Sequence, residues 1–147
     1  MYQRILIATD GSTLSNKAVE SGLQLACLMG AQIFALKVVP RYPVNYLEGG
    51  MTMQQDEVGK IEKQWTQAAQ AIVEVIKTEA EAQGLKAKAL TVSSDLIAET
   101  IITTAKKHKC DLIVMASHGR RGIKRILMGS ETTHVLTHSH VPVLVLR

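Results

Sequence analysis

Apolar residues follow two alternating rhythms along this chain. Short, nearly unbroken apolar runs occupy residues 4–9, 32–39, 111–117 and 141–146. Their length and β-branched content predict strands, the first three buried on both faces and the last an apolar edge strand. Residues 86–92 alternate lysine with apolar side chains, which predicts a strand near a sheet edge. Between these runs the spacing becomes helical. Ala18, Val19, Gly22, Leu23, Ala26 and Met29 share one stripe of a helix over residues 12–29, and Gly30 is a fitting stop. A long helix is predicted over 56–83, its apolar face formed by Val58, Ile61, Trp65, Ala68, Ile72 and Val75 or Ile76, with Gly84 ending it. Ser93, Ser94 and Asp95 supply a cap for a helix running to His108. A last helix is predicted over 130–138. Residues 42–55 carry Pro43, the adjacent Gly49 and Gly50, Met51 and Met53, and read as an irregular, mobile connection. Met51 and Met53 read as a lid over a site or as part of a loose loop.

The resulting order, βαβαβαβαβ, predicts an α/β fold: one parallel sheet with helices on both faces, joined by right-handed crossovers. Nothing divides the chain, so residues 1–147 form one domain. In such sheets ligands bind beyond the carboxyl ends of the strands, where the strand order reverses. Residues 8–12, 38–41, 92–95 and 116–130 are therefore the segments where a site is expected.

Composition narrows this picture. With 46% hydrophobic and 20% charged residues the chain is of ordinary globular type. Aromatics are only 3%, which leaves the core to Ile, Leu, Val, Ala and Met and offers no stacking platform for single-stranded nucleic acid. The net charge of +4 is scattered apart from Arg120, Arg121, Lys124 and Arg125, so no nucleic-acid partner is expected. The apolar runs are far shorter than a membrane span. Cys27 and Cys110 form no CxxC motif. Both are expected as buried, reduced thiols, and the opening residues do not read as a secretory leader, which together point to the cytoplasm.

The chemistry concentrates in residues 115–130, MASHGRRGIKRILMGS, which leave a strand and open a helix. Gly119 and Gly122 let the backbone turn and approach a ligand. Gly129 and Ser130 start a helix whose free amides and dipole favour an anion, and the Ser130 hydroxyl can donate to a phosphate oxygen. Thr132 and Thr133 lie in the same turn. A side chain at Gly129 is expected to block phosphate approach without harming the fold.

This loop resembles the nucleotide loop of the universal stress proteins: Gly, two residues, Gly, nine residues, Gly, then Ser or Thr. Here Gly119 is the second glycine, Gly129 and Ser130 close the pattern, and Ala116 holds the first glycine position. An alanine there limits positive φ and places a methyl near the expected phosphate path. The opening residues ILIATDGS, the LKVV segment and the closing HVPVLV resemble the family's first, second and last strands, so the likeness covers nearly the whole chain. The resemblance implies a single five-stranded, Rossmann-like sheet of the adenine nucleotide alpha hydrolase-like type, and an adenine nucleotide, ATP first, as ligand. Ala8, Thr9 and Asp10 would sit beside the adenosine, with Asp10 near the ribose or phosphates. Val38 would flank the adenine, and Met115 and Ala116 would lie along the nucleotide. Gly119, Gly129, Ser130, Glu131 and Thr132 would surround the phosphates, joined by Arg120 and Gly122 of the loop. It also implies a homodimer built on the last strand, between Val141 and Leu146.

Simpler readings stand beside these. Asp10 is equally a turn residue that caps the first helix, and the basic cluster is equally a solvated loop. His134 and His138, four apart with His140 close by, have a metal-compatible spacing but no companion Cys, Asp or Glu at motif spacing. Paired carboxylates, a Ser–His–Asp order, a Walker loop and the signatures of adenylating enzymes are all missing. The expectation is a nucleotide-binding regulatory module. Its alternatives are a slow ATP hydrolase with Asp10 holding Mg²⁺, and a dimeric interaction protein without nucleotide. A phospho-receiver is excluded because Asp10 lacks an acidic neighbour and the third strand ends in Val92, Ser93 and Ser94.

Overall fold

Strands with no polar face must be covered on both sides, and here the three central ones are. In the computed structural model, which describes residues 1–43, 55–119 and 128–147, β1 (Arg4–Ala8) is the central strand. β2 (Gln32–Val39) and β3 (Ala87–Ser93) lie on one side of it, and β4 (Leu112–Ala116) and β5 (Val143–Leu146) on the other. The order β3-β2-β1-β4-β5 is parallel throughout, with Leu6 opposite both Phe34 and Ile113. The sheet expected from the alternation of strand and helix is thus the sheet observed, and the lysine-bearing strand does lie at an edge.

α1 (Thr13–Met29) and α2 (Gln55–Ala82) cover one face, burying Ile5, Ile7, Ile33 and Val114 against Ala18, Leu23, Val73 and Ile76. α3 (Ile97–Lys107) and α4 (Ser130–His138) cover the other, where Leu6, Phe34, Leu36 and Ile113 meet Ala98, Ile101 and Val135. Each large side chain buried this way contributes about 1.5–3 kcal/mol. Gly30 ends α1 in the left-handed region at φ 65°, as its position after the apolar stripe implied.

Several local expectations fail for identifiable reasons. The buried stripe of α2 is Ala69, Val73, Ile76 and Ala80, whereas Trp65, Ala68 and Val75 are exposed. Two alanines on that stripe let the helix approach the sheet closely. β5 begins at Val143 instead of residue 141, because Ser139 Oγ accepts from Val141 N at 3.1 Å and donates to Val141 O at 2.8 Å, and Pro142 has no N–H to offer. The residues before α3 do not cap it. Ser94 Oγ accepts from Leu96 N and Asp95 Oδ1 from Arg41 N, while Leu96, at the N-cap, makes no side-chain cap bond. The predicted connection around Gly49, Gly50, Met51 and Met53 lies outside the described residues.

The cysteines also divide. Cys110 is buried, and burial, aided by the neighbouring Asp111 charge, pushes its thiol up to about 12. Cys27 is exposed, with Sγ 3.0 Å from Gln83 Oε1, contrary to the expectation of two buried thiols. At pH 8 iodoacetamide will therefore label Cys27 in the folded protein and reach Cys110 only after unfolding. Equal labelling of both in the native state, read by mass spectrometry, would contradict this packing.

The chain runs outward from β1 to β2 and β3, then returns to the far side of β1 for β4. The two loops leaving β1 and β4 at their carboxyl ends therefore diverge, and a crevice opens between them.

Candidate functional site

The crevice is built first by the turn after β1. Thr9 N donates to Leu36 O at 2.9 Å, keeping the strand's end in the sheet. Gly11 then takes φ 80°, a conformation that favours glycine. Its N–H donates to Thr9 Oγ1 at 3.1 Å, Thr9 Oγ1 donates to Ser15 Oγ at 3.0 Å, and Ser15 Oγ donates to Ser12 O at 2.8 Å. That order of donors follows because the Ser15 proton is committed to a carbonyl. Asp10 closes an Asx turn, with Oδ1 accepting from Ser12 N at 2.9 Å, and Lys37 Nζ donates to Asp10 O at 3.2 Å. Ser12 then caps α1 through Ser15 N. Asp10 Oδ1 thus serves the turn, and Oδ2 lies on the side of Gly119.

The second wall is the end of β4. Gly119 lies so close to Asp10 that an added Cβ would stand 2.6 Å from Asp10 Oδ2. That approach, and not a positive φ, is what favours glycine here, since a side chain would push the Asp10 carboxylate aside. Ser117 Oγ and His118 Nδ1 are 3.0 Å apart, and Ser117 O accepts from Gly129 N at 2.8 Å. Thr132 Oγ1 donates to Ala116 O at 3.0 Å. These two bonds pin the start of α4 to the end of β4. Gly129 at the N-cap offers no side-chain cap, so the first-turn amides of α4 present partial positive charge at the crevice.

The third wall comes from α3. Ala98 N, in its first turn, donates to Glu131 Oε2 of α4 at 2.9 Å, which supplies the cap that residues 93–95 do not. Ile97 and Ile101 stand one turn apart on the same face. The half-open cavity has a volume of about 160 Å³. Leu36, Val38, Ile97, Ile101 and Met115 give it an apolar lining, to which Asp10, His118, Glu131 and Thr132 add polar groups. Such a shape suits a flat apolar ring carrying a hydroxylated or anionic tail.

The sequence profile described as the universal stress protein family matches residues 1–147. The chain belongs to the universal stress protein family. Universal stress protein MJ0531 of Methanocaldococcus jannaschii is 32% identical over 149 residues, spanning all of this chain and 83% of the relative. Universal stress protein MJ0577 of the same organism is 29% identical over 156 residues, spanning all of this chain and 96% of the relative. Its solved structure superposes with a TM-score of 0.84 over 99% of this chain and 96% of its own. A universal stress protein solved in complex with cAMP shares the fold, with a TM-score of 0.69 at 24% identity over 99% of this chain and 97% of its own.

In this universal stress protein, the cavity gathers Ala8, Thr9, Asp10, Val38, Met115, Ala116, Gly119, Glu131 and Thr132 from the residues marked by sequence. Gly129 and Ser130 open α4 beside it. Arg120 and Gly122, with Arg121, Lys124 and Arg125, lie outside the described residues. Ala116 belongs to β4 opposite Leu146, in extended backbone that any residue adopts, so the absence of glycine there imposes no φ constraint. Sequence reasoning missed Ser15, Leu36, Ile97, Ile101 and His118 as lining residues. Two of them carried a readable signal: Leu36 lies two residues before Val38 on the same strand face, and His118 adjoins Gly119. His134 and His138 stack with ring centroids 4.2 Å apart, and His134 Nε2 is 3.4 Å from Glu99 Oε1. Among the described residues no group of three or more His, Cys, Asp or Glu side chains is arranged to hold a metal. Among them, too, no helix is long and apolar enough to cross a membrane.

Proposed function

We propose that this protein binds an adenine nucleotide, ATP included, in the crevice between β1 and β4, and works as a regulatory module in the stress response. The observation that carries the reading is a mostly apolar cavity at the carboxyl ends of the strands that is also lined by Asp10 and by Glu131 and Thr132 of the uncapped first turn of α4. Universal stress proteins of the same fold have been solved in complex with cAMP, with dAMP and with AMP, which supports an adenylate as the class of ligand to test.

In this reading Val38, Ile97 and Ile101 enclose the adenine, and Ala8, Thr9, Met115 and Ala116 line the path of the nucleoside. Asp10 Oδ2 accepts from the ribose hydroxyls or shares a Mg²⁺ ion with the phosphates. One carboxylate oxygen is a single ligand, which fits an ion held mainly by phosphate and water. Gly119 and Ser130 give the phosphates backbone amides, Gly129, whose N–H is held by Ser117 O, lets them approach the start of α4, and Arg120 and Gly122 extend the loop around them. Thr132 contributes through its amide, because its hydroxyl already serves Ala116 O. The reading includes a cytoplasmic location, which suits the exposed free thiol of Cys27. It also includes a homodimer built on β5, an apolar edge strand whose Leu144 is 38% exposed.

Calorimetric titration of nucleotide-stripped protein with ATP, with and without Mg²⁺, tests the reading. One saturable site per chain supports it, and a product assay on the same sample measures turnover. No heat and no thermal stabilisation at millimolar ATP would overturn it in favour of an interaction protein without nucleotide. Light scattering on that sample tests the dimer, which predicts twice the chain mass of 16.1 kDa. A monomer at working concentration removes it.

A further inference from the structure

Ser117 leaves β4 with a buried hydroxyl, the residue being 4% exposed. Among the described residues its one side-chain partner is His118 Nδ1, at 3.0 Å. A buried hydroxyl that gave its proton to nothing would be costly. Ser117 Oγ therefore donates and Nδ1 accepts, which leaves the ring proton of neutral His118 on Nε2. The imidazole thus offers a donor without needing a charge. Its position decides what that donor meets. His118 is half-buried and lines the cavity next to Gly119. It also lies against the start of α4: a Cβ added at Gly129 would stand 3.4 Å from His118 Cα and 3.5 Å from His118 Cβ. Gly129 N donates to Ser117 O at 2.8 Å, so the Ser117–His118 pair and the helix end are held as one unit. The ring is therefore rooted at the end of the cavity where the first-turn amides of α4 begin.

We propose that His118 is a ligand-binding residue whose Nε2–H donates to a phosphate oxygen of the adenylate, and that Ser117 is the positioning residue that fixes this tautomer. This rests on the adenylate reading of the same cavity. The chemistry suits an anion. A hydrogen bond from a neutral donor to a phosphate oxygen is charge-assisted, and roughly twice as strong as one between neutral groups. The bond to Ser117 holds the ring and selects its donor face before the ligand arrives, so less ordering is left to binding. Adenosine, which has no phosphate, would gain nothing from this contact. His118 therefore sets how far the site prefers a phosphorylated nucleoside to a bare one.

His118→Ala and His118→Gln separate the donor from the rest of the ring, because the glutamine amide can still offer an N–H. Wild type and both variants are titrated calorimetrically with adenosine and with AMP at pH 8. His118→Ala should lower the ratio of AMP to adenosine affinity by about tenfold, the scale of one hydrogen bond to a charged group, and leave adenosine affinity within about twofold. His118→Gln should recover most of the lost ratio. An unchanged ratio in His118→Ala overturns the contact, and so does an equal loss in His118→Gln. Nitrogen NMR of the imidazole in the ligand-free protein tests Ser117. Wild type should show the Nε2–H tautomer, and Ser117→Ala a mixture of both tautomers with a smaller loss of the AMP ratio. A wild-type ring protonated on Nδ1 instead would overturn the role of Ser117. If wild type binds neither adenosine nor AMP, the adenylate reading itself has failed, an outcome distinct from a site that binds both and ignores His118.

Discussion

Valine at position 119 will weaken adenylate binding by about 10- to 100-fold while shifting the melting temperature by only a few degrees. The magnitude is that of losing one hydrogen bond to a charged group, about 1.5–3 kcal/mol. The cause is local. A Cβ at Gly119 would lie 2.6 Å from Asp10 Oδ2, so the carboxylate must swing out of the crevice. Its neighbours in that direction are side-chain atoms, and Gly119 needs no positive φ, so the backbone can keep its path. Gly129 behaves differently. Its φ of −61° and ψ of 152° are open to any residue, and a Cβ there would meet His118 Cα at an ordinary 3.4 Å. For packing within the protein, Gly129 is thus the more forgiving of the two, as the expectation that a side chain there spares the fold requires. Calorimetry on Gly119→Val, Gly129→Ala and Asp10→Asn gives the decisive order. Gly119→Val and Asp10→Asn should lose affinity together, and Gly129→Ala should stay within a few-fold of wild type. Full affinity in Gly119→Val would place the ligand away from Asp10.

The fold was readable because a strand buried on both faces leaves a continuous apolar run, and the three central strands are of that kind. What hydrophobicity alone could not supply was size. The pattern of α2 offers more than one apolar stripe, and the one that packs contains Ala69 and Ala80, the residues that add least to an apolar count. Tertiary partners were equally hidden. The cap of α3 comes from Glu131, distant in sequence, whereas the sequence offered Ser93, Ser94 and Asp95 next door. The site divides along the same line. Strand ends and glycines announced Ala8, Asp10, Val38, Ala116 and Gly119, since parallel sheets place ligands beyond their carboxyl ends. Ile97, Ile101 and Ser15 reach the cavity from helix faces, and which face turns inward is settled only by packing.

The second large effect tests that packing directly. Gly22 is where α1 crosses the boundary of β1 and β4, and a Cβ there would lie 2.6 Å from Ile7 Cδ1, 2.9 Å from Ile7 Cγ1 and 3.7 Å from Val114 Cγ1. Ile7 and Val114 are fully buried, so neither has room to yield. Glycine in a helix interior sacrifices about 1 kcal/mol relative to alanine, so its presence in α1 has a packing reason. Overpacking of this kind costs about 1–3 kcal/mol per site and more for a branched side chain. Gly22→Ala should lose about 0–2 kcal/mol net of the gain in helix propensity, and Gly22→Val should lose about 3 kcal/mol, a large share of the roughly 5–15 kcal/mol of a typical domain. Ile7→Ala alone leaves a cavity and costs about 2–5 kcal/mol. Combined, Gly22→Val and Ile7→Ala should cost clearly less than their sum, with a coupling of about 1–3 kcal/mol in urea denaturation. Strict additivity would mean that α1 does not rest on β1 at this point. The consequence reaches the site, because Ile7 directly precedes Ala8, Thr9 and Asp10 at the crevice. A helix lifted off β1 would displace the residues meant to hold the ligand, so adenylate affinity should fall in Gly22→Val and recover in the double variant along with stability.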